Sequence, residues 1–310
     1  MEIHRSFDIN KKIKNPVVTT GSFDGVHIGH KTILRRLKKI ANEIDGETVL
    51  ITFYPHPRKV LYPETHGKDL KLISTQREKI FLLEKAGLDH LIIVNFTREF
   101  AKTTSHQFVE DILVGKLDAR RIIVGFNHHF GHNREGDYEY LYELAKTHDF
   151  EVEEIPEQDV ENETVSSTTI RQALSEGKIQ RANAYLDHYY IIMGKLHDGH
   201  PKCREVGFPT YEVEIEEKEK LIPPEGVYAV SMMHEKGRYK GMLNIKKYPD
   251  RDNLTVEVHV FGLDHEFDFR GEMVKIQFHK KIRNELNFNN TKAFHKQLNI
   301  DMQNIEELIF

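Results

Sequence analysis

Along the first part of the chain, apolar positions switch repeatedly between strand spacing and helix spacing. Residues 16–20 are short, apolar and β-branched, the pattern of a buried strand. A polar, glycine-rich stretch follows, after which Ile33, Leu34, Leu37, Ile40, Ala41 and Ile44 recur at helical spacing. Gly46 supplies a stop for that helix. The same rhythm predicts strands at 47–53, 90–95, 121–125 and 150–155, with helical patterns at 76–86 and 105–117. Such alternation predicts a parallel sheet with helices on both faces. Near residues 186–190 the rhythm changes to short alternating runs at 189–193, 211–215, 227–233, 239–245, 254–261 and 273–278, separated by turn residues. These predict a closed antiparallel barrel. Two terminal helices are expected at 291–298 and 302–309. The pattern therefore predicts an α/β domain over residues 1–187 and a β-barrel domain over residues 188–310.

The first predicted strand runs into Gly21-Ser22-Phe23-Asp24-Gly25-Val26-His27-Ile28-Gly29-His30. This stretch lies on a strand-loop-helix turn at the carboxyl end of a strand, where open α/β sheets place their ligands. Glycines let backbone come close to a ligand, and a helix start offers free N–H groups that suit phosphate. His27 and His30, three apart at the helix start, face the same way. Two imidazoles there can donate hydrogen bonds to a reacting phosphorus centre and to a leaving pyrophosphate.

Other predicted strands also end in polar or glycine-rich loops. Residues 47–53 lead into Tyr54-Pro55-His56-Pro57, and residues 121–125 lead into Phe126-Asn127-His128-His129-Phe130-Gly131. His128, His129 and His132 invite a zinc reading, but Gly131 interrupts them and no cysteine or spaced acid completes a ligand set. Further on, Ser166-Ser167-Thr168-Thr169-Ile170-Arg171 opens a helical pattern. Ser166 or Ser167 is a natural N-cap; the same residues can also place hydroxyls, a helix start and the Arg171 charge on phosphate oxygens.

Composition narrows the class. With 310 residues, 39% hydrophobic and 30% charged, the chain is a soluble globular protein of about two domains. No apolar run reaches the roughly 18 residues that would span a membrane, and the amino end lacks the apolar core of a signal peptide. The single cysteine, Cys203, excludes an internal disulfide and fits a reducing cytoplasm. A net charge of -5 argues against a nucleic-acid partner, so an anionic ligand needs a local positive site. These features leave the oligomeric state open.

The turn with its His-x-Gly-His ending resembles that of the nucleotidyltransferase superfamily. Its longer form, together with Ser-Ser-Thr-x-x-Arg, resembles the bifunctional riboflavin kinase/FMN adenylyltransferases. The resemblance extends to the second half, where Gly194, Gly199, Arg204, Gly207, Phe208, Pro209 and Thr210 match the riboflavin kinase pattern. Gly241-Met242-Leu243-Asn244-Ile245, Glu257-Val258-His259 and Arg283-x-Glu285-x-x-Phe288 match as well. It departs where the family has Thr-Ala-Asn and this chain has Thr210-Tyr211-Glu212. Cys203 replaces a family glycine, and Lys246-Lys247-Tyr248-Pro249-Asp250 replaces Gly-x-Arg-Pro-Thr.

The resemblance implies a Rossmann-like nucleotidyltransferase domain followed by a flavokinase-like barrel, acting in FAD biosynthesis with ATP, riboflavin, FMN and Mg²⁺. It implies His27 and His30 as catalytic in adenylyl transfer, with ATP held by Gly21, Ser22, Phe23, Asp24, Ser166, Ser167, Thr168 and Arg171. It places His56, Pro57 and Asn127 on the flavin side. In the barrel it implies Glu257 as catalytic base, Gly194, Gly199, Gly207 and Pro209 at ATP, and Thr210 and Glu212 at the metal. Arg283 and Glu285 would contact flavin. Because of the departures, an FMN adenylyltransferase with a degenerate flavin-binding barrel stays open beside the bifunctional enzyme. So does a different adenylyl- or cytidylyltransferase, against which the flavokinase-like second half speaks.

Overall fold

In the computed structural model, which describes residues 1–9, 11–126, 128–156, 159–160, 163–249, 251, 253–263 and 268–309, the chain divides into two units. One comprises Met1–Leu70 and Lys79–Ser166, the other Lys71–Glu78 and Ser167–Phe310.

The first unit begins with β1 (Glu2–His4), β2 (Val17–Thr20), α1 (Ile28–Glu43), β3 (Thr48–Tyr54) and α2 (Pro57–Leu61). After α3 (Gln76–Lys85), which belongs here from Lys79 onward, come β4 (His90–Asn95) and α4 (Ser105–Gln107). α4 runs on into a π-helical stretch, Phe108–Val114, followed by β5 (Arg121–Gly125), α5 (Tyr138–Ala145) and β6 (Glu151–Ile155). A short antiparallel ribbon, β7 (Asp159–Val160) and β8 (Glu163–Thr164), closes the unit. The six-stranded sheet has the order β1-β4-β3-β2-β5-β6, and every pairing in it is parallel.

Adjacent residues of one strand explain why the runs are apolar throughout. Val17 packs with Leu37, Ile40 and Ala41 of α1 on one face. Val18 points to the other face and packs with Phe108, Val109, Ile112 and Leu113. A strand buried on both faces has no polar alternation to show. From β2 the chain winds outward through β3 and β4, then returns to place β5 beside β2. The carboxyl ends of β2 and β5 therefore form the switch point of the sheet, the place where such folds bind ligands.

The second unit contains α6 (Ser167–Ser175), α7 (Ile179–Leu186), β9 (Tyr190–Asp198), α8 (Pro201–Glu205), β10 (Tyr211–Glu214) and β11 (Gly226–His234). It continues with β12 (Gly237–Lys247), β13 (Leu254–Val260), β14 (Met273–Arg283) and α9 (Thr291–Leu308). The strands close an antiparallel barrel in the order β10-β13-β12-β11-β14-β9. The two expected terminal helices are one helix, α9. The apolar pattern breaks at Asp301, yet this residue is buried, and its carboxylate receives hydrogen bonds from Arg283 of 3.2, 2.9 and 2.7 Å. A buried ion pair interrupts the hydrophobic period without interrupting the helix. Among the described residues no helix is long and apolar enough to cross a membrane.

The segment Lys71–Glu78 precedes every barrel strand in sequence, yet it is tied to the barrel unit. Leu72 N–H donates to Glu219 O (2.7 Å), and Leu221 N–H donates to Leu72 O (2.8 Å). Glu78, 0% exposed, accepts from the ammonium of Lys220, 3% exposed, and from Met193 N–H at 2.8 Å. Lys220 also donates to the carbonyls of Ile73 and Ile191, both at 2.7 Å, and lies 4.3 Å from the Tyr190 ring centre. Both charges are satisfied, so the pair is tolerated; removing one leaves the other buried and uncompensated. Lys220→Met is expected to destabilise the barrel unit by about 3 kcal/mol, read as a lower urea midpoint of the barrel transition. Adding Glu78→Gln to it should recover much of the loss. An unchanged midpoint in the single variant would rule out this role.

Candidate active sites

The glycine-rich turn follows β2 at the switch point. It is held in an unusual shape: Phe23, Gly25 and Val26 have φ of 45°, 85° and 44°. A β-branched residue at positive φ is strained, and strain of this kind concentrates at ligand clamps. Phe23 is buried within the turn, and a Cβ at Gly21 would come within 3.1 Å of its ring. The Ser22 carbonyl accepts from the Lys79 ammonium at 2.7 Å and from the Thr52 hydroxyl at 3.3 Å. Asp24 is buried.

α1 begins directly after this turn, with His27 at its N-cap but without a side-chain cap bond. The three rings stack in series, Phe23 on His30 at 4.4 Å between centres and His30 on His27 at 3.7 Å. His27 is buried, and His30 Nδ1 is buried with no hydrogen-bond partner among the described residues. Burial, then His27 and Lys79, holds the His30 imidazole well below its usual pKa, so it is neutral at pH 7. His27, the neutral His30, the Lys79 ammonium and the start of α1 gather at one turn, a combination that suits an anion.

His56 is half-buried, caps α2 by accepting from Arg58 N–H at 3.2 Å, and is followed by Pro57 at the first helical position. Asn127 lies outside the described residues. The neighbouring His128 is half-buried, its ring stacked beside Phe130, and desolvation lowers its pKa to about 4. His132 is bonded to the Ala101 carbonyl at 3.2 Å.

In the second unit, α6 starts at Ser167, which puts Ser166 at the cap position. Arg171, one turn in, donates from Nε to the Lys71 carbonyl at 2.8 Å. That bond fixes its direction.

The barrel carries a pocket lined in part by Cys203, Thr210, Asn244, Glu257, Arg283 and Glu285. Glu257 is 4% exposed. Its carboxylate accepts from His200 N–H at 2.9 Å and from the Tyr248 hydroxyl at 3.2 Å. Burial pushes its carboxyl above the ordinary range, while these two hydrogen bonds pull the other way. His200 stacks on Tyr248 at 5.0 Å and 9°. Strand register sets Glu257 opposite Glu212 on one side and Asn244 on the other. Glu212 is paired with Arg251 at 2.6 Å. Asn244 Oδ1 is buried with no hydrogen-bond partner among the described residues.

Gly199 explains the close turn. A Cβ there would lie 2.2 Å from the Thr210 hydroxyl oxygen, which is buried. Gly194 is crowded by the Glu214 carbonyl in the same way (2.5 Å), and Gly207 has φ of 81°. The Pro209 carbonyl accepts from His259 Nδ1 at 2.7 Å. Thr210 and Glu212 offer only oxygen donors, which suit a hard cation such as Mg²⁺. Arg283 is held by Asp301, and Glu285 by Lys246 at 3.0 Å. Cys203 is half-buried, and its thiol is pushed up to about 11 by burial and by Glu257.

Sequence reasoning did not single out Lys79, His200 or Asp301. Each acts across a long stretch of chain, so no local spacing marks it. Tyr248 entered only as a departure from the family pattern, yet it is a hydrogen-bond partner of Glu257.

Comparison with known proteins covers both halves. A family model described as FAD synthetase matches residues 9–169, and one described as riboflavin kinase matches residues 186–309. The bifunctional riboflavin kinase/FMN adenylyltransferase of Listeria monocytogenes is 34% identical, over 96% of this chain and 91% of that protein. The protein of the same description from Haemophilus influenzae is 32% identical, over 95% and 94%. The solved structure of the macrolide-efflux protein of Streptococcus pneumoniae has a TM-score of 0.86 at 26% identity and covers 97% of each chain.

Proposed function

The chain belongs to the bifunctional riboflavin kinase/FMN adenylyltransferase family, and from that premise we propose how its residues divide the work of FAD biosynthesis. The protein phosphorylates riboflavin to FMN and adenylylates FMN to FAD, both at the expense of ATP. We assign adenylyl transfer to residues 1–187 and the kinase reaction to residues 188–310.

In adenylyl transfer an FMN phosphate oxygen attacks the α-phosphorus of ATP, one P–O bond forms, one breaks, and pyrophosphate leaves. The phosphate monoester is largely dianionic at neutral pH, its second pKa being about 6, so no base is needed. Catalysis then rests on positioning and charge stabilisation. His27 and His30 donate N–H groups to the transferring phosphoryl and the departing pyrophosphate. Gly21, Ser22, Phe23 and Asp24 shape the nucleotide pocket, and His56, Pro57 and Asn127 take the flavin side. Ser166, Ser167, Thr168 and Arg171 take the outer phosphates of ATP. The neutral His30, half-buried with its Nδ1 out of solvent, beside Lys79 and the start of α1, carries this assignment.

In the kinase reaction the attacking group is the terminal ribityl hydroxyl of riboflavin, and an alcohol needs a base. Glu257 accepts that proton as the O–P bond forms. Its raised pKa makes it a stronger acceptor than an ordinary carboxylate, and His200 and Tyr248 fix both of its oxygens. Thr210 and Glu212 would hold Mg²⁺, which when bound neutralises charge on the ATP phosphates. Gly194, Gly199, Gly207 and Pro209 frame the ATP turn, and Arg283 and Glu285 meet the flavin. We place the protein in the cytoplasm, with small-molecule and not nucleic-acid partners.

Incubation with riboflavin and Mg-ATP, followed by separation of riboflavin, FMN and FAD, should give both FMN and FAD. FAD from supplied FMN only would favour an adenylyltransferase with an inactive barrel. Arg171→Ala is expected to lower kcat/KM for ATP in FAD formation roughly 10- to 100-fold, the cost of about 1.5–3 kcal/mol for a lost charged hydrogen bond. Unchanged ATP kinetics would reduce Arg171 to a strap on the Lys71 carbonyl.

A further inference from the structure

At the amino end of β4, on the edge of the sheet opposite the glycine-rich turn, Glu2, His4 and His90 present a carboxylate oxygen and two imidazole nitrogens, all within 4.8 Å of one another. The arrangement follows from strand geometry. Glu2 and His4 stand two apart on β1 and so share a face, and the parallel register sets Glu2 against His90. His90 is buried, His4 is half-buried and Glu2 is exposed.

The separations are those of a coordination sphere. His4 Nε2 lies 3.1 Å from His90 Nδ1, and Glu2 Oε2 lies 3.8 Å from the same nitrogen. Tetrahedral zinc with ligands at about 2.0–2.1 Å sets its donors about 3.4 Å apart. The two observed separations bracket that value. The remaining nitrogen of His90 is also placed: Nε2 lies 3.5 Å from Glu47 Oε2, and that carboxylate oxygen is itself held by Lys14 N–H at 2.9 Å. A carboxylate behind the outer nitrogen of a histidine is the usual support of a zinc ligand.

We propose that Glu2, His4 and His90 form a Zn²⁺ site with water in the fourth position, clipping β1 to β4 and supported from behind by Glu47. The proton now shared between His4 Nε2 and His90 Nδ1 must leave that contact when metal binds. On His90 it moves to Nε2, where Glu47 accepts the hydrogen bond. Two imidazoles in the donor set favour zinc over magnesium, so the site is distinct in chemistry from any that serves ATP.

The test uses the full chain, freed of metal, without nucleotide. Co²⁺, the spectroscopic stand-in for zinc, should bind one per chain with the visible absorption of four-coordinate cobalt. His4→Ala should weaken binding at least tenfold and abolish that absorption, and Glu47→Gln should weaken binding roughly 10- to 100-fold. Zn²⁺ should raise the melting temperature of the wild type and leave that of His4→Ala unmoved. Should His4→Ala fold poorly by circular dichroism, Glu2→Gln at the exposed ligand serves instead, with the same expectation. The proposal is overturned if the wild type takes up no metal at micromolar concentration. It is equally overturned if the folded variants bind Co²⁺ with wild-type affinity and spectrum, which would place the metal among the other histidines.

Discussion

Replacing His30 with alanine is expected to lower the turnover of FMN to FAD by about 10²–10³, the usual cost of removing one preorganised donor from a transition state. The loss should fall on kcat, because a donor aimed at the reacting phosphoryl contributes most when charge is redistributed there. His30 lies between Phe23 and His27 in the ring stack, so the alanine variant also opens a space beside both. His30→Asn separates the two effects: it restores a donor while lacking the aromatic ring, and should recover part of the rate. FMN formation from riboflavin serves as the internal control and should stay at the wild-type level. Adenylyl transfer near the wild-type rate in His30→Ala would remove this residue from the chemistry.

Glu257→Gln is expected to slow FMN formation by about 10²–10⁴, the range for loss of a general base, while FAD formation from supplied FMN stays near normal. The amide fits the same bonds: its oxygen accepts from His200 N–H, and its nitrogen donates to the Tyr248 hydroxyl oxygen. Stability should move the other way. The folded pKa of Glu257 is raised, so its contribution to stability is fully present below the unfolded value and is lost as pH rises through the folded value. At neutral pH the ionised carboxylate thus costs stability, and the neutral amide removes that cost. The variant should melt no lower than the wild type. In the wild type, FMN formation should fall on the acid side through a pKa above the ordinary glutamate range, a limb that the residual activity of Glu257→Gln should lack. A variant that makes FMN at the wild-type rate would show that Glu257 is not the base.

What the sequence disclosed, and what it hid, follows from the range over which each feature is encoded. The parallel sheet was legible because β2 and its neighbours are buried on both faces, leaving unbroken apolar runs. The barrel was legible through its short alternating runs, and the strand-turn-helix at residues 17–43 through its glycines and the helical spacing that follows. Asp301 misled the reading of α9, since a buried carboxylate looks like a break in the apolar period until its partner Arg283 is known. Lys79 could not be read as part of the turn, because only folding brings it to the Ser22 carbonyl. Glu212 stood as a departure from the family pattern; in the fold it is balanced by Arg251, a compensation four decades of residues away in sequence.

The segment Lys71–Glu78 means that a single cut between the two halves does not separate the two units. It is threaded early in the chain but counted with the barrel, where Glu78 supplies the counter-charge of Lys220. A fragment beginning at His188 keeps every barrel strand and every residue assigned to the kinase reaction. It nevertheless inherits a buried ammonium whose carboxylate has been left on the other piece. Translation meets the same condition in time: Glu78 is made long before Lys220, so the barrel matures around a piece of chain that has been waiting for it. A gene cut at this boundary would leave the two members of that ion pair on different products.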